Sequence, residues 1–355
     1  MSINNLNLAL PRVRKRIGFT LIELLIVISI IAILAGLLLP VIGTVRRRGQ
    51  VTATVLEIQS LKNAIEQYKN KFGDYPPDGS NSLVLERHIR IAFPRIHVTE
   101  INFLRIKLGF VLDSNNKVIP KNTRLDPAEA LVFFLSGFSD DPRYPFQGKG
   151  GPASVNPNPG LFDFDPNRLL KTDDNDGFAV YHPKNSDVPF VYFDSRTYLP
   201  RKINGYAAAT QYPLLLNLTP DNIRTNGVAR PYRSDQLRLG FDQMGHPIHL
   251  DGTHDDHDAN DFGGDGYGFE WVNKNTFQII AAGVTNHYGD NVIPSPLHAN
   301  NIKQDLPTYM NRYKHYPSGT GPPSTEGLND GVTYSDGDKS NITSFSRGTL
   351  EDDIP

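Results

Sequence analysis

The sequence predicts an α+β chain in which one long N-terminal helix packs on an antiparallel β-sheet and a loop-rich C-terminal region follows. Three observations carry that expectation. Residues 19–45 are an almost unbroken apolar run, residues 46–72 place apolar side chains at three- and four-residue steps, and short apolar runs beyond residue 73 alternate with Gly, Pro, Asn and Asp clusters. The 30 Gly and 27 Pro among 355 residues crowd into the second half, which argues against more long helices there.

Composition removes several function classes. Lys and Arg number 36 against 38 Asp and Glu, a formal charge of -2, so no global field recruits nucleic acid and no such partner is expected. The chain has 0 Cys, which rules out disulfides, thiolate metal sites and thiol nucleophiles.

Residues 1–18 are a polar leader with Arg12, Arg14, Lys15 and Arg16, closing on Ile17-Gly18. From Phe19 to Val45 a helix would run about 40 Å, enough for a hydrocarbon core of about 30 Å, so residues 19–45 are expected to anchor the chain in a bilayer. An ordinary secretory signal has an apolar core of roughly 7–15 residues with its small-residue cut after it. Here the run is longer, and Ala35-Gly36 lies inside it.

Glu23 is the one ionisable side chain in that run. A carboxylate at the middle of a spanning helix costs roughly 2.5–3.5 kcal/mol, less near an end, which makes it a candidate functional group. A cut after Gly18 would make Glu23 the fifth residue of the mature chain, one helical turn from a new α-amino group on Phe19. In a bundle of such helices the carboxylate would pair with a neighbour's terminal ammonium, an attraction strengthened by a low dielectric.

The residues GFTLIELLIVISIIAILAGLLLPVI after a basic leader resemble the processing and assembly motif of type IV pilins and type II secretion pseudopilins. That resemblance implies a pilin-like fold, cleavage between Gly18 and Phe19, N-methylation of Phe19, assembly through Glu23, and a helix that bends or melts at Pro40. It also implies partners: a prepilin peptidase that is the N-methyltransferase, other pilin or pseudopilin subunits, and an inner-membrane assembly platform with its ATPase. The peptidase of this family faces the cytoplasm, so the chain is expected to sit single-pass in the inner membrane with its head periplasmic, and later in a fibre. Charge alone orients it poorly, since Arg46, Arg47 and Arg48 flank the far end.

Past the membrane, Val51, Val55, Ile58, Leu61 or Ile65, Tyr68 and Phe72 continue the helical period over residues 46–72. Gly73 and Tyr75-Pro76-Pro77 stop it. The phrase KFGDYPP resembles the helix exit of major pseudopilins, and residues 73–355 are expected to form the globular head. Within it, residues 83–120 suggest a helix and then irregular chain. Asp126-Pro127 through Gly137 suggests a short capped helix. Strands are expected at 178–181, 189–193, 247–250 and 277–282, with another at 212–216.

Two head segments hold candidate metal ligands. FQIIAAGVTNHYGD resembles the pseudopilin segment leading into a C-terminal loop, which in major pseudopilins of type II secretion holds calcium. Asp290 follows that strand, and Asp336, Asp338 and Asn341 lie near the end, oxygen ligands that suit a hard cation. They match the family's ligands at no position one to one, and a solvated Asn/Asp-rich turn explains them equally. The stretch 246–265, with His246, His249, His254 and His257, has ligand chemistry but no established zinc spacing.

No HExxH, GxSxG or GxxxxGK[ST] motif is present, the fragment Gln147-Gly148-Lys149-Gly150 lacks the rest of a phosphate loop, and Asp261-Phe262-Gly263 stands without its kinase companions. The expected function is therefore a non-enzymatic subunit of a type II secretion pseudopilus. The alternatives are a minor type IV pilin for adhesion, motility or DNA uptake, and a tethered enzyme that borrows the leader.

Overall fold

The computed structural model describes residues 19–119, 123–152, 158–171, 177–198, 229, 231–237, 269–289, 315–317 and 334–354. It divides into two units, Met1–Gly49 and Gln50–Pro355. One helix, α1 (Leu21–Phe72), contributes to both, and its helical backbone is unbroken at Pro40.

In the first unit the large apolar side chains described from Phe19 to Val45 stand exposed, Leu21 at 81%. An apolar surface of this extent is not stable in water. This part of α1 is long and apolar enough to cross a membrane.

In the second unit the predicted stripe is the one that packs. Ile58, Leu61, Ala64, Ile65 and Tyr68 are buried, with Val51, Val55 and Phe72 packed at the edge. Gly73 ends α1 in the left-handed region, at φ 85°, where a residue without Cβ is favoured. Its amide closes the last turn by donating to the Lys69 carbonyl at 2.7 Å.

Three short helices follow, α2 (Ser82–Ala92), α3 (Val98–Lys107) and α4 (Glu129–Leu135). The expectation of irregular chain after one helix in 83–120 is corrected by α3. Phe93 and Pro94 break the run, but His97 restarts it as an N-cap, and Ile101, Leu104 and Leu108 bury one face. The predicted Asp126 cap is present: its Oδ1 accepts from the amides of Ala128 and Glu129 at 2.8 and 2.9 Å, and Glu129 Oε2 accepts from the Asp126 amide in return.

Strands β1 (Leu169–Lys171) and β2 (Ala179–Tyr181) pair antiparallel. The central sheet joins β3 (Val191–Asp194), β6 (Phe277–Ala281) and β8 (Ile342–Thr343), all antiparallel, with β6 in the middle. A third sheet holds β4 (Arg233–Leu237) between β5 (Phe269–Trp271) and β7 (His315–Tyr316), and β4–β7 is parallel. The expected strands at 178–181, 189–193 and 277–282 are thus found within a residue or two, whereas 212–216 and 247–250 lie outside the described residues.

The central sheet is covered on both faces. Alternate residues Tyr192, Phe277, Ile279 and Ala281 join the cluster of α1, while Val191, Phe193, Ile280 and Ala282 join Tyr232, Tyr288, Tyr334 and Leu350. Double burial explains why β6 carries apolar residues on both faces, with Gln278 the one polar side chain among them, instead of alternating. The buried Gln278 imitates a strand edge: its amide accepts from the Tyr232 N–H at 2.8 Å and donates to the carbonyls of Tyr232 and Val272. Lys62 on α1 donates to the Ser344 carbonyl at 2.9 Å, which stitches the C-terminal segment to the helix.

His88 on α2 is buried against α1, Nε2 lying 2.8 Å from the Tyr68 hydroxyl, and Nδ1 has no partner among the described residues. Burial, assisted by Arg196, pushes its pKa down to about 3. The unfolded chain therefore takes up this proton first. Stability from neutral His88 is present above about pH 6.5 and is lost as pH falls toward 3. The difference in unfolding free energy between the parent and His88→Gln should shrink on acidification across that window, by up to a few kcal/mol. Denaturant titrations of both chains in detergent at several pH values check it.

Candidate functional site at the helix N-terminus

Among the predicted site residues, Phe19 and Glu23 are described and Gly18 is not. Phe19 is 76% exposed. Thr20 and Glu23 form a reciprocal capping box at the start of α1. Glu23 Oε2 accepts from the Thr20 amide at 2.9 Å and from its hydroxyl at 2.7 Å, and the Glu23 amide approaches Thr20 Oγ1 at 3.3 Å.

This cap satisfies donors that an α-helix leaves open at its first turn, and the positive end of the helix dipole favours the carboxylate there. It leaves the formal charge of Glu23 unneutralised, and Oε1 has no partner among the described residues. The site therefore presents one anion, held in a fixed direction, at the end of an otherwise apolar exposed surface. Thr20 was missed by the sequence reading, although Thr-x-x-Glu is a capping-box signature that would have found it.

The metal candidates are placed unevenly. Asp290 and the stretch 246–265 lie outside the described residues. Asp336 points into solvent, its side chain 98% exposed, with Lys339 Nζ at 3.9 Å. Asp338 and Asn341 are buried together. Asp338 Oδ2 caps its own short helix, α5 (Asp336–Ser340), by accepting from Ser335. Asn341 Nδ2 donates to the Tyr288 carbonyl at 2.7 Å and to the Tyr232 hydroxyl at 2.9 Å. Asn341 Oδ1 is buried and unsatisfied among the described residues.

Among the described residues no group of three His, Asp or Glu side chains is placed to hold a metal ion.

The family model described as the prokaryotic N-terminal methylation motif matches residues 13–39. The chain is similar to the type IV major pilin protein PilE of Neisseria gonorrhoeae, with 40% identity over 65 residues, 18% of this chain and 39% of the relative. A fimbrial protein of Pseudomonas aeruginosa is 51% identical over 49 residues, 14% of this chain and 32% of that protein. The fimbrial protein EcpB of Eikenella corrodens is 38% identical over 101 residues, 28% of this chain and 64% of that protein. The chain spans about two fifths of the length of the first curated relatives it matches. No solved structure matches.

Proposed function

We propose, from the premise that this chain is type IV pilin-like at its N-terminus, that it is a structural fibre subunit. It is cut between Gly18 and Phe19 by a prepilin peptidase, N-methylated on Phe19, and polymerised through the apolar half of α1 with its head at the fibre surface. The observation that carries this reading is the fixed carboxylate of Glu23, one turn from Phe19, on the N-terminal half of α1, whose described large apolar side chains are uncovered. Bundling such helices buries that surface and places a neighbour's new ammonium against the anion.

Mass spectrometry of chain purified from its native membrane is expected to find a new, methylated N-terminus at Phe19. An intact leader overturns the reading, because the ammonium that Glu23 requires would not exist.

Two fibre types fit. The resemblance of KFGDYPP and FQIIAAGVTNHYGD to major pseudopilin segments supports a type II secretion pseudopilus. The curated relatives, which are pilins and fimbrial proteins, support a type IV pilus subunit. A deletion strain that loses exported proteins favours the first, and one that loses adhesion, motility or DNA uptake favours the second.

A further inference from the structure

A cleft of about 920 Å³ opens on the head between α3 and the loop 139–149. Its volume lies in the range of small-molecule sites. It is remote in sequence from the assembly segment and plays no part in the function proposed above.

The two walls are tied together from below. Glu100 on α3 is fully buried, and its carboxylate accepts from the amides of Phe146 and Gln147 at 2.7 and 2.8 Å and from Gln147 Nε2 at 2.8 Å. A buried carboxylate with three charge-assisted donors sets the separation of helix and loop. Close packing behind the loop does the same: a Cβ on Gly148 would lie 2.3 Å from Ser139 Oγ, and one on Gly150 2.3 Å from Asn158 Oδ1. The cleft is thus a rigid feature of the fold.

Its lining selects a ligand class. Phe103, Ile106 and Tyr144 contribute apolar and ring surface, and Ile106 is 76% exposed. Around them stand the amides of Asn102 and Asn158 and the carboxylate of Asp140. Planar amide and carboxylate groups pair with neighbouring hydroxyls, while ring and aliphatic surface takes the C–H face of a sugar. The charged side chains of the lining are Asp140, Asp141 and Lys149, two acids against one base, and the nearby Arg143 is engaged with Asp141 at 3.3 Å, so the cleft carries no excess of positive charge to select an anionic ligand. α3 supplies a helical wall, so that side presents no strand edge to which an extended peptide would add.

We infer that this cleft is a binding site for a neutral oligosaccharide. The full-length chain, in a detergent without a sugar headgroup, is titrated with cellohexaose, maltohexaose, chitohexaose and laminarihexaose by saturation-transfer NMR and calorimetry. At least one is expected to bind, and Asn102→Ala and Tyr144→Ala to weaken it at least tenfold while circular dichroism and processing at Phe19 stay as in the parent. Failure of all four at millimolar concentration overturns the proposal. So does binding that both variants leave unchanged, or binding of a control hexapeptide where every sugar fails. Because the measurement uses dispersed chains, its outcome is independent of fibre assembly.

Discussion

Replacing Glu23 with alanine is expected to abolish fibre assembly while leaving membrane insertion intact. From Phe19 to Val45 no other side chain is ionisable, so the substitution makes the segment more apolar and insertion easier. What it removes is the one group that can pair with a neighbour's N-terminal ammonium. Because Glu23 also caps α1 through Thr20, the alanine chain loses the reciprocal half of the capping box as well.

Glu23→Gln separates the two roles. Glutamine keeps acceptor and donor capacity for the cap but carries no charge. If the ion pair governs assembly, both variants stay in the membrane fraction and neither yields sheared fibres. Fibres from the glutamine chain at parental levels would assign Glu23 to capping alone.

The second large effect lies just past the end of α1, where residues 74–78 meet β3. Arg196 holds Asp194 through Nε at 2.5 Å, Asp74 through Nη1 at 2.6 Å, and the Tyr75 carbonyl through Nη2 at 2.6 Å. Asp194 is 1% exposed, and its amide donates to the fully buried Asp78 at 3.1 Å. Arg196→Ala would take this cation from the buried Asp194 and from the half-exposed Asp74, and breaking the buried pair costs about 3–5 kcal/mol.

The pH dependence gives a second signature. Burial pushes Asp194 up to about 7, opposed by Arg196 and assisted by Asp78. A carboxyl whose folded pKa is raised stabilises the fold below its unfolded value and loses that contribution as pH rises toward 7. Removing the arginine raises Asp194 further, so the variant's deficit should grow from pH 5 to pH 8. Urea unfolding across that range measures it, and a deficit that shrinks over this interval would contradict the assignment.

The parts of the fold set by local pattern were legible in the sequence. The α1 stripe is a 3.6-residue period of apolar side chains, and its stop is written in Gly73, Pro76 and Pro77. β3 and β6 are short β-rich runs between turn residues. The parts set by distant contacts were not legible. β7 is two residues long and joins β4 in parallel across a long stretch of chain, a pairing with no local signature. Cover over the second face of the central sheet depends on Tyr232, Tyr288 and Tyr334 arriving from separate segments.

The same division holds for the sites. The N-terminal motif is contiguous, so the lone carboxylate Glu23 stood out in its apolar run, and the resemblance to a processing motif pointed to Gly18 and Phe19. The cleft depends on Glu100 reaching residues 46 and 47 positions away, and nothing near Glu100 in the sequence announces that reach.

The central sheet also sets an order of events. Its middle strand, β6, waits for β3 on one side and β8 on the other, and β8 follows both in the chain. Ile58, Leu61, Ile65 and Tyr68 share their cluster with Phe277, Ile279 and Ile342, so the ribosome delivers this sticky face long before its cover. Closing contacts of such sequence separation is slow. The chain's exposure to proteases and to aggregation therefore falls in that interval of biosynthesis, and a holding chaperone would act on the outer half of α1.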